Sequence, residues 1–234
     1  MVTGGSRGIG AATVRRAAAD GWTVCLSYRR ESGAADELAD EVGGRAVQAD
    51  VADEDDVLAL FAAADELGPV RGAVASAGIV DRTMPVRAMT AARMRRMLEV
   101  NTLGTMLTAR EAVRRMVPAR SGSIVLVGSV ASRVGSPGQY VDYAASKGAV
   151  DSFTLGLSKE VAADGVRVSC VRPGIIDTAI HADSGQPNRV AEIGASLPMG
   201  RAGHAEEVAA AIVWLLSDDS GYVSGTFLDV SGAR

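Results

Sequence analysis

Tyr143 and Lys147 carry the sharpest chemical signal in the chain, within Tyr143-Ala144-Ala145-Ser146-Lys147. Residues four apart share one face of a helix. An ammonium beside a phenol favours the phenolate and lowers its pKa from about 10. Each unit of lowering is worth about 1.4 kcal/mol and brings the group toward acid/base work at neutral pH. Composition singles out the lysine: of 24 basic residues only Lys147 and Lys159 are Lys. An arginine in its place would not offer a compact, readily shifted charge. The competing reading is a buried tyrosine with a snorkelling lysine on an amphipathic helix. Lys159 has no comparable partners and reads as surface.

Two further polar residues belong with this pair. The run Ser123-Ile124-Val125-Leu126-Val127-Gly128-Ser129 reads as a strand ending at Gly128. Ser129 then stands at the carboxyl edge of a sheet, where its hydroxyl can donate to a substrate carbonyl oxygen. Ser132 and Ser136 compete for that role from further along the loop, and an ordinary loop serine is the plain alternative. Asn101 falls inside a helical pattern, in Glu99-Val100-Asn101-Thr102. Asparagine is a poor helix-interior residue and marks a bend or a local side-chain hydrogen bond.

The run Thr3-Gly4-Gly5-Ser6-Arg7-Gly8-Ile9-Gly10 is a glycine-rich turn opening a helix. Glycines let a backbone approach a pyrophosphate closely, and the helix start offers N–H donors and the positive end of a dipole. The spacing is Gly-x3-Gly-x-Gly, not the common Gly-x-Gly-x2-Gly fingerprint, and alone it also suits a plain helix-start loop. The end of the second strand chooses between dinucleotides. An acid there holds a ribose 2′-hydroxyl, whereas an arginine suits a 2′-phosphate. This chain reads Ser27-Tyr28-Arg29-Arg30-Glu31. Arg29 can grip phosphate bidentately, with Arg7 adding charge from the glycine turn, so NADP(H) is expected over NAD(H). Glu31, displaced along the chain, keeps NAD(H) open, as does a solvated Arg29–Arg30 pair.

These residues need a scaffold that gathers the ends of several strands. Short runs rich in Val, Ile, Leu and Ala predict strands over Trp22–Tyr28, Arg45–Asp50, Val70–Ser76, Ser123–Gly128, Val166–Val171 and Thr226–Val230. Helical patterns lie between them at Gly8–Asp20, Gly33–Val42, Asp53–Leu67, Ala91–Val117, Asp142–Asp164 and Ala205–Ser217. Gly43-Gly44 stops the second helix, and Asp53 followed by Glu54, Asp55 and Asp56 starts the third. Such alternation dictates a parallel sheet with helices on both faces and ligands at the strands' carboxyl ends. The expected fold is a single-domain, doubly wound, Rossmann-like α/β unit over residues 1–234. Only Met1 and Val2 precede Thr3, so the first strand reads as truncated, and an upstream extension of several apolar residues is expected in the natural chain.

The chain's 234 residues, 47% hydrophobic and 22% charged, are enough to bury a core without staples. A net charge of −4 argues against a nucleic-acid partner bound through a basic field. The densest apolar stretch, Val208 to Leu216, is too short to cross a bilayer, so no membrane partner is expected. Cys25 and Cys170 lie in apolar runs and no signal-peptide pattern is visible, which suits reduced, buried thiols in a cytoplasmic protein. Aromatics are 4%, so the core must be aliphatic. His181 and His204 are not spaced as ligands, and no metal is expected.

Thr3-Gly4-x3-Gly8-x-Gly10, Asp50-Val51, Ala77-Gly78, Asn101, Ser129, Tyr143-x3-Lys147, Arg172-Pro173-Gly174, Thr178 and Tyr222-Val223-Ser224-Gly225 stand in one order. In that order the chain resembles the short-chain dehydrogenases/reductases over essentially its whole length. It looks nearest to bacterial 3-oxoacyl-carrier-protein reductase-like and glucose-dehydrogenase-like members. The resemblance implies that Tyr143 is the acid/base and that Ser129 orients and polarises a carbonyl. It implies that Lys147 lowers the Tyr143 pKa and holds the nicotinamide ribose, while Asn101 holds a water in a proton relay to Lys147. Gly4, Ser6, Arg7, Gly8, Ile9, Gly10 and Arg29 would bind the dinucleotide's phosphates. Asp50 and Val51 would flank the adenine, Ala77 and Gly78 would pack along the cofactor, and Pro173, Gly174, Ile176 and Thr178 would enclose the nicotinamide.

Three departures stand out. Ala75-Ser76-Ala77-Gly78 replaces the family's Asn-Asn-Ala-Gly. Ser129 precedes Tyr143 by one position more than is usual, the extra residue falling in Gln139–Asp142; Tyr140 is no rival base, because Ala144 occupies its i+4 position. The first strand is nearly absent. The expected activity is carbonyl–alcohol interconversion on a small molecule with NADP(H). An NAD-linked alcohol or sugar dehydrogenase is the alternative, and a non-catalytic dinucleotide-binding sensor or scaffold is the reading from another class. Enoyl reduction is disfavoured, because enoyl-reducing relatives space Tyr and Lys more widely. Residues 179–199, with a short helix near Arg189–Ala195, read as a substrate lid, and His181, Asp183, Gln186 and Arg189 form no recognisable carboxylate clamp. The resemblance also implies a homotetramer that pairs the helices at Asn101–Val117 and Asp142–Asp164.

Overall fold

The structure, a computed structural model, describes residues 1–234. Its strands are β1 (Val2–Thr3), β2 (Cys25–Tyr28), β3 (Arg45–Gln48), β4 (Gly72–Ala75), β5 (Gly122–Val127), β6 (Val166–Pro173) and β7 (Phe227–Val230). All pair in parallel, in the order β3-β2-β1-β4-β5-β6-β7. This is the expected doubly wound α/β fold. The order reverses between β1 and β4, and a crevice opens there beyond the carboxyl ends of the strands.

Helices α1 (Gly8–Ala19), α2 (Ser32–Val42), α3 (Glu54–Asp65), α4 (Ala91–Leu98), α5 (Gly104–Ala119), α6 (Ala131–Val134), α7 (Val141–Val161), α8 (Ile180–Asp183), α9 (Arg189–Ile193) and α10 (Ala205–Leu216) connect the strands. Side chains alternate across β5 as a pleated strand requires. Val125 and Val127 pack toward α1, α2 and α10, while Ile124 and Leu126 pack toward α3, α5 and α7. The core is aliphatic, and Phe61 is the one aromatic among its largest fully buried side chains.

Strand ends differ from the sequence pattern where pairing decides them. β2 starts at Cys25, where its ladder with Arg45 begins, and not at Trp22, whose indole lies against Gly72. β3 stops at Gln48, because the Asp50 N–H donates to the Asp56 carboxylate at 2.8 Å. β4 begins at Gly72, not Val70, and β6 runs on to Pro173. β1 is two residues long at the centre of the sheet, with Val2 pairing Leu26 on one side and Val74 on the other.

Asp53 caps α3 as expected, accepting from the Asp55 and Asp56 N–H groups at 2.9 and 3.2 Å. The helix expected over Ala91–Val117 is interrupted. A π-helical turn, Glu99–Leu103, separates α4 from α5 and contains Asn101. α7 ends at Val161 and passes through a short 3-10 turn to Asp164. Residues 179–199 hold two short helices, α8 and α9, where one was expected.

Candidate active site

β5 ends at Val127, and the chain turns through Gly128 to set Ser129 over the carboxyl edge. The Val130 N–H donates to the Pro173 carbonyl at 3.1 Å and fastens this turn to the end of β6. α7 starts beyond the turn and brings Tyr143 and Lys147 to the same edge. Ser129 lines the same cleft as the Tyr143 phenol and favours its ionised form, and its Oγ accepts the Ala131 N–H at 3.1 Å. Among the three candidate serines, Ser129 and Ser136 line the cleft, and Ser129 is the one that bears on the phenol's ionisation. Ser132 Oγ turns back to donate to the Ser129 carbonyl at 2.8 Å.

Lys147 is buried, with Nζ 5.8 Å from the Tyr143 ring centroid and donating to the Val127 carbonyl at 2.7 Å. Burial brings its pKa down to about 8, against the opposing charges of Cys170 and Asp151. Burial also pushes the Tyr143 phenol up, and nearby Ser129 only partly offsets this. The sequence-based expectation of a lowered tyrosine pKa is therefore reversed in direction. The ammonium sits against a backbone carbonyl, not against the phenol oxygen, and desolvation of the phenolate outweighs what remains.

Asn101 is fully buried. Its Oδ1 accepts the Ile79 N–H at 2.8 Å, and its Nδ2 donates to the Ile79 carbonyl at 2.9 Å and to Ser146 Oγ at 3.2 Å. It thereby ties the segment after β4 to the π-helical turn and to α7. Gly78 sits between it and the lysine: a Cβ at that position would lie 3.3 Å from Asn101 Oδ1 and 3.6 Å from Lys147 Nζ. Where the family carries asparagines ahead of Ala77-Gly78, Thr3 Oγ1 accepts from the Ser76 and Ala77 N–H groups at 3.1 and 3.2 Å.

A cleft of about 590 Å³ runs along this edge. Gly4, Ser6, Arg7, Gly8, Ile9, Gly10, Arg29, Asp50, Val51, Ala77, Gly78, Pro173, Gly174, Ile176 and Thr178 all line it, together with Ser129, Tyr143 and Lys147. Asn101 stands behind its wall. The glycine turn is shaped for close approach. Gly4 has φ +63°, and a Cβ there would lie 2.7 Å from Ala77 Cα; a Cβ on Gly10 would strike the Gly4 carbonyl oxygen. No side chain caps the first turn of α1. Its N–H groups and its glycine cradle fit a dinucleotide pyrophosphate.

The arginines at this end are met by acids that the sequence pattern did not connect to them. Arg29 and Arg96 both reach Asp50 Oδ2 at 2.9 Å. Burial raises the Asp50 carboxyl, but the Ala52 N–H, Arg96 and Arg29 together hold it below the usual carboxylate range. Arg7 lies 3.4 Å from Glu31 and 2.6 Å from Asp183, so one side chain spans from the glycine turn to α8.

A family model described as enoyl-(acyl carrier protein) reductase matches residues 4–232. The uncharacterized oxidoreductase YgfF of Escherichia coli strain K12 is 51% identical over 243 residues, covering 100% of this chain and 98% of that protein. The cis-4-hydroxycyclohexanecarboxylate dehydrogenase of Sinomonas cyclohexanicum is 40% identical, over 99% of this chain and 94% of the relative. The 3-oxoacyl-[acyl-carrier-protein] reductase of Bos taurus is 41% identical, over 99% and 95%. The chain belongs to the short-chain dehydrogenases/reductases.

As a short-chain dehydrogenase/reductase it is an NAD(P)-dependent oxidoreductase. No group of three or more His, Cys, Asp or Glu side chains could hold a metal ion, and no helix is long and apolar enough to cross a membrane. This short-chain dehydrogenase/reductase also ties Tyr140 of the cleft wall into a polar chain that sequence reasoning did not connect. The Tyr140 hydroxyl accepts from Thr83 Oγ1 at 3.0 Å, and Thr83 Oγ1 in turn accepts from Gln186 Nε2 at 2.6 Å. Nothing in the local pattern of any of these segments announces a polar chain that only the fold assembles.

Proposed function

We propose that this enzyme interconverts a ketone or aldehyde and the corresponding alcohol, with NADP(H) as hydride carrier and Tyr143 as acid/base. The observation that carries the reading is that Ser129, Tyr143 and Lys147 line one cleft together with the glycine turn, Lys147 Nζ lying 5.8 Å from the Tyr143 ring. A bound nicotinamide dinucleotide supplies the hydride for reduction and accepts it in oxidation. Ser129 holds the carbonyl oxygen, and the Tyr143 hydroxyl gives its proton to that oxygen as the alcohol forms. A phenol raised by burial stays protonated at neutral pH, ready to donate in the reducing direction. Lys147 holds the nicotinamide ribose, and Asn101 steadies a proton relay behind it.

The names of the relatives, a hydroxycyclohexanecarboxylate dehydrogenase and an oxoacyl reductase, describe alcohol–carbonyl couples. Tyr143 and Lys147 on adjacent turns of α7 favour carbonyl over enoyl reduction. Substituting Tyr143→Phe should lower turnover by about 10²–10⁴-fold, the usual worth of a positioned acid/base, while NADPH binding by fluorescence remains measurable. Near-normal turnover would overturn the assignment.

NADP(H) preference rests on Arg7, Arg29 and Arg30 along one wall of the cleft. A specific observation favours the NAD(H) reading: Glu31 lines the same wall, takes a 3.5 Å hydrogen bond from Ser6 and already faces Arg7. Kinetics with both cofactors decide between them. A homotetramer is supported by apolar side chains left exposed on the long helices, Leu103 beside α5 and Leu155 on α7; a monomer by light scattering would contradict it. Two buried, unpaired thiols suit a cytoplasmic location.

A further inference from the structure

A positive charge at the lid end of the cleft has no part in the chemistry above. Arg189 opens α9 and is half-buried on the cleft wall. Its guanidinium donates to the Gln186 side-chain carbonyl and, at 3.2 Å, to that of Gln139. It also lies 5.8 Å from the ring centroid of Tyr140, three residues before Tyr143. Both acceptors are neutral amides. They orient the fork but leave its charge uncompensated, with further N–H donors to spare.

The contrast with the other end of the cleft is sharp. There Arg7 faces Glu31 and Asp183, and Arg29 shares Asp50 with Arg96. Arg189, by contrast, enters no ion pair. His181 on the same wall adds no negative charge, its pKa held below the usual histidine value by burial.

We propose that Arg189 receives a carboxylate of the substrate, so that this enzyme acts on oxo acids and hydroxy acids in preference to neutral ketones and alcohols. The inference rests on the reductase reading above and adds its substrate class. A guanidinium fixed by two amide oxygens matches a planar carboxylate without having to be ordered on binding. It would also set which way round a substrate enters, carbonyl toward Tyr143 and carboxylate toward the lid.

The test uses the NADPH-loaded enzyme and a ladder of oxo acids, 4-oxopentanoate to 7-oxooctanoate, each against its methyl ester. The expected result is at least a tenfold higher kcat/KM for an acid than for its ester at one length, expressed mainly in KM. That ratio should collapse toward one in Arg189→Gln and recover in part in Arg189→Lys. An unchanged ratio in Arg189→Gln, or a wild-type preference for the esters, would overturn the inference while leaving the reductase reading standing. If no carbonyl compound is reduced, the reductase reading fails, and calorimetry with hexanoate decides the inference alone. Binding weakened at least tenfold by Arg189→Gln supports it, and no saturable binding overturns it.

Discussion

Arg93 of α4 grips Asp142 of α7 in a two-pronged ion pair, Nε to Oδ2 at 2.7 Å and Nη2 to Oδ1 at 3.3 Å, with both side chains buried. The same guanidinium donates to the Arg82 carbonyl at 2.6 Å, and the Asp142 carboxylate accepts the Tyr143 N–H at 3.0 Å. The pair therefore locks the start of α7, and with it Tyr143, to the loop after β4.

Removing one partner leaves a buried, unpaired charge. Arg93→Met should destabilise the protein by about 3–5 kcal/mol, seen as a lower urea midpoint at unchanged slope. The double variant Arg93→Met with Asp142→Leu should regain much of that loss, because both charges are gone. A double variant no more stable than the single one would show that the pair acts through something other than uncompensated charge.

Lys147 makes stability depend on pH in a particular direction. Its pKa is near 10.5 unfolded and about 8 folded. Between those values the unfolded chain binds more protons, so stability rises with pH through this window as the buried charge is relieved. The rise is worth roughly 3 kcal/mol in order of magnitude. Cys170 opposes it at higher pH, since burial raises its thiol to about 12 and the unfolded chain ionises first. The clean measurement is the stability difference between wild type and Lys147→Met from pH 7.5 to 10. It should shift in favour of wild type as pH rises, and a flat difference would refute the assignment of this titration to Lys147.

Arg29→Gln should raise the KM for NADPH about 10–100-fold, the worth of a charge-assisted bidentate phosphate contact, and that for NADH far less. The substitution also removes one of the two arginines on Asp50. Equal loss for both cofactors would therefore assign Arg29 to Asp50 and not to a phosphate.

Gly10→Ala drives a methyl group into the Gly4 carbonyl oxygen. Backbone cannot yield there without opening the turn. The variant should lose dinucleotide binding by calorimetry, and it should also unfold earlier in urea. Retained affinity would mean that the turn is not the pyrophosphate site.

The centres of the strands were legible because runs such as Ile124 to Val127 must face apolar surroundings on both sides of the sheet. Their ends were not, since β2 and β3 begin together at Cys25 opposite Arg45 and end together at Tyr28 opposite Gln48, and no local pattern records that. Tyr143 and Lys147 were legible through spacing and the rarity of lysine, and Asn101 through being a poor helix former that turned out to occupy a π-helical turn. The direction of the Tyr143 pKa was misread because spacing conveys a neighbour's charge but not the depth of burial. Arg93 and Asp142 are 49 residues apart, and Arg7 and Asp183 are 176 apart. Pairs of that kind exist only once the chain has closed.

The Arg7–Asp183 contact has a kinetic consequence. It bridges the glycine turn and the segment 179–199, so it would act as a clasp on a dinucleotide lying in the cleft. Both side chains are nearly half exposed, and such a pair is worth at most about 1 kcal/mol. A clasp that weak slows departure by less than about tenfold, and dissolved ions compete with it directly. Ionic strength should therefore govern how quickly the spent cofactor leaves, and in an enzyme limited by that departure, adding salt would speed turnover.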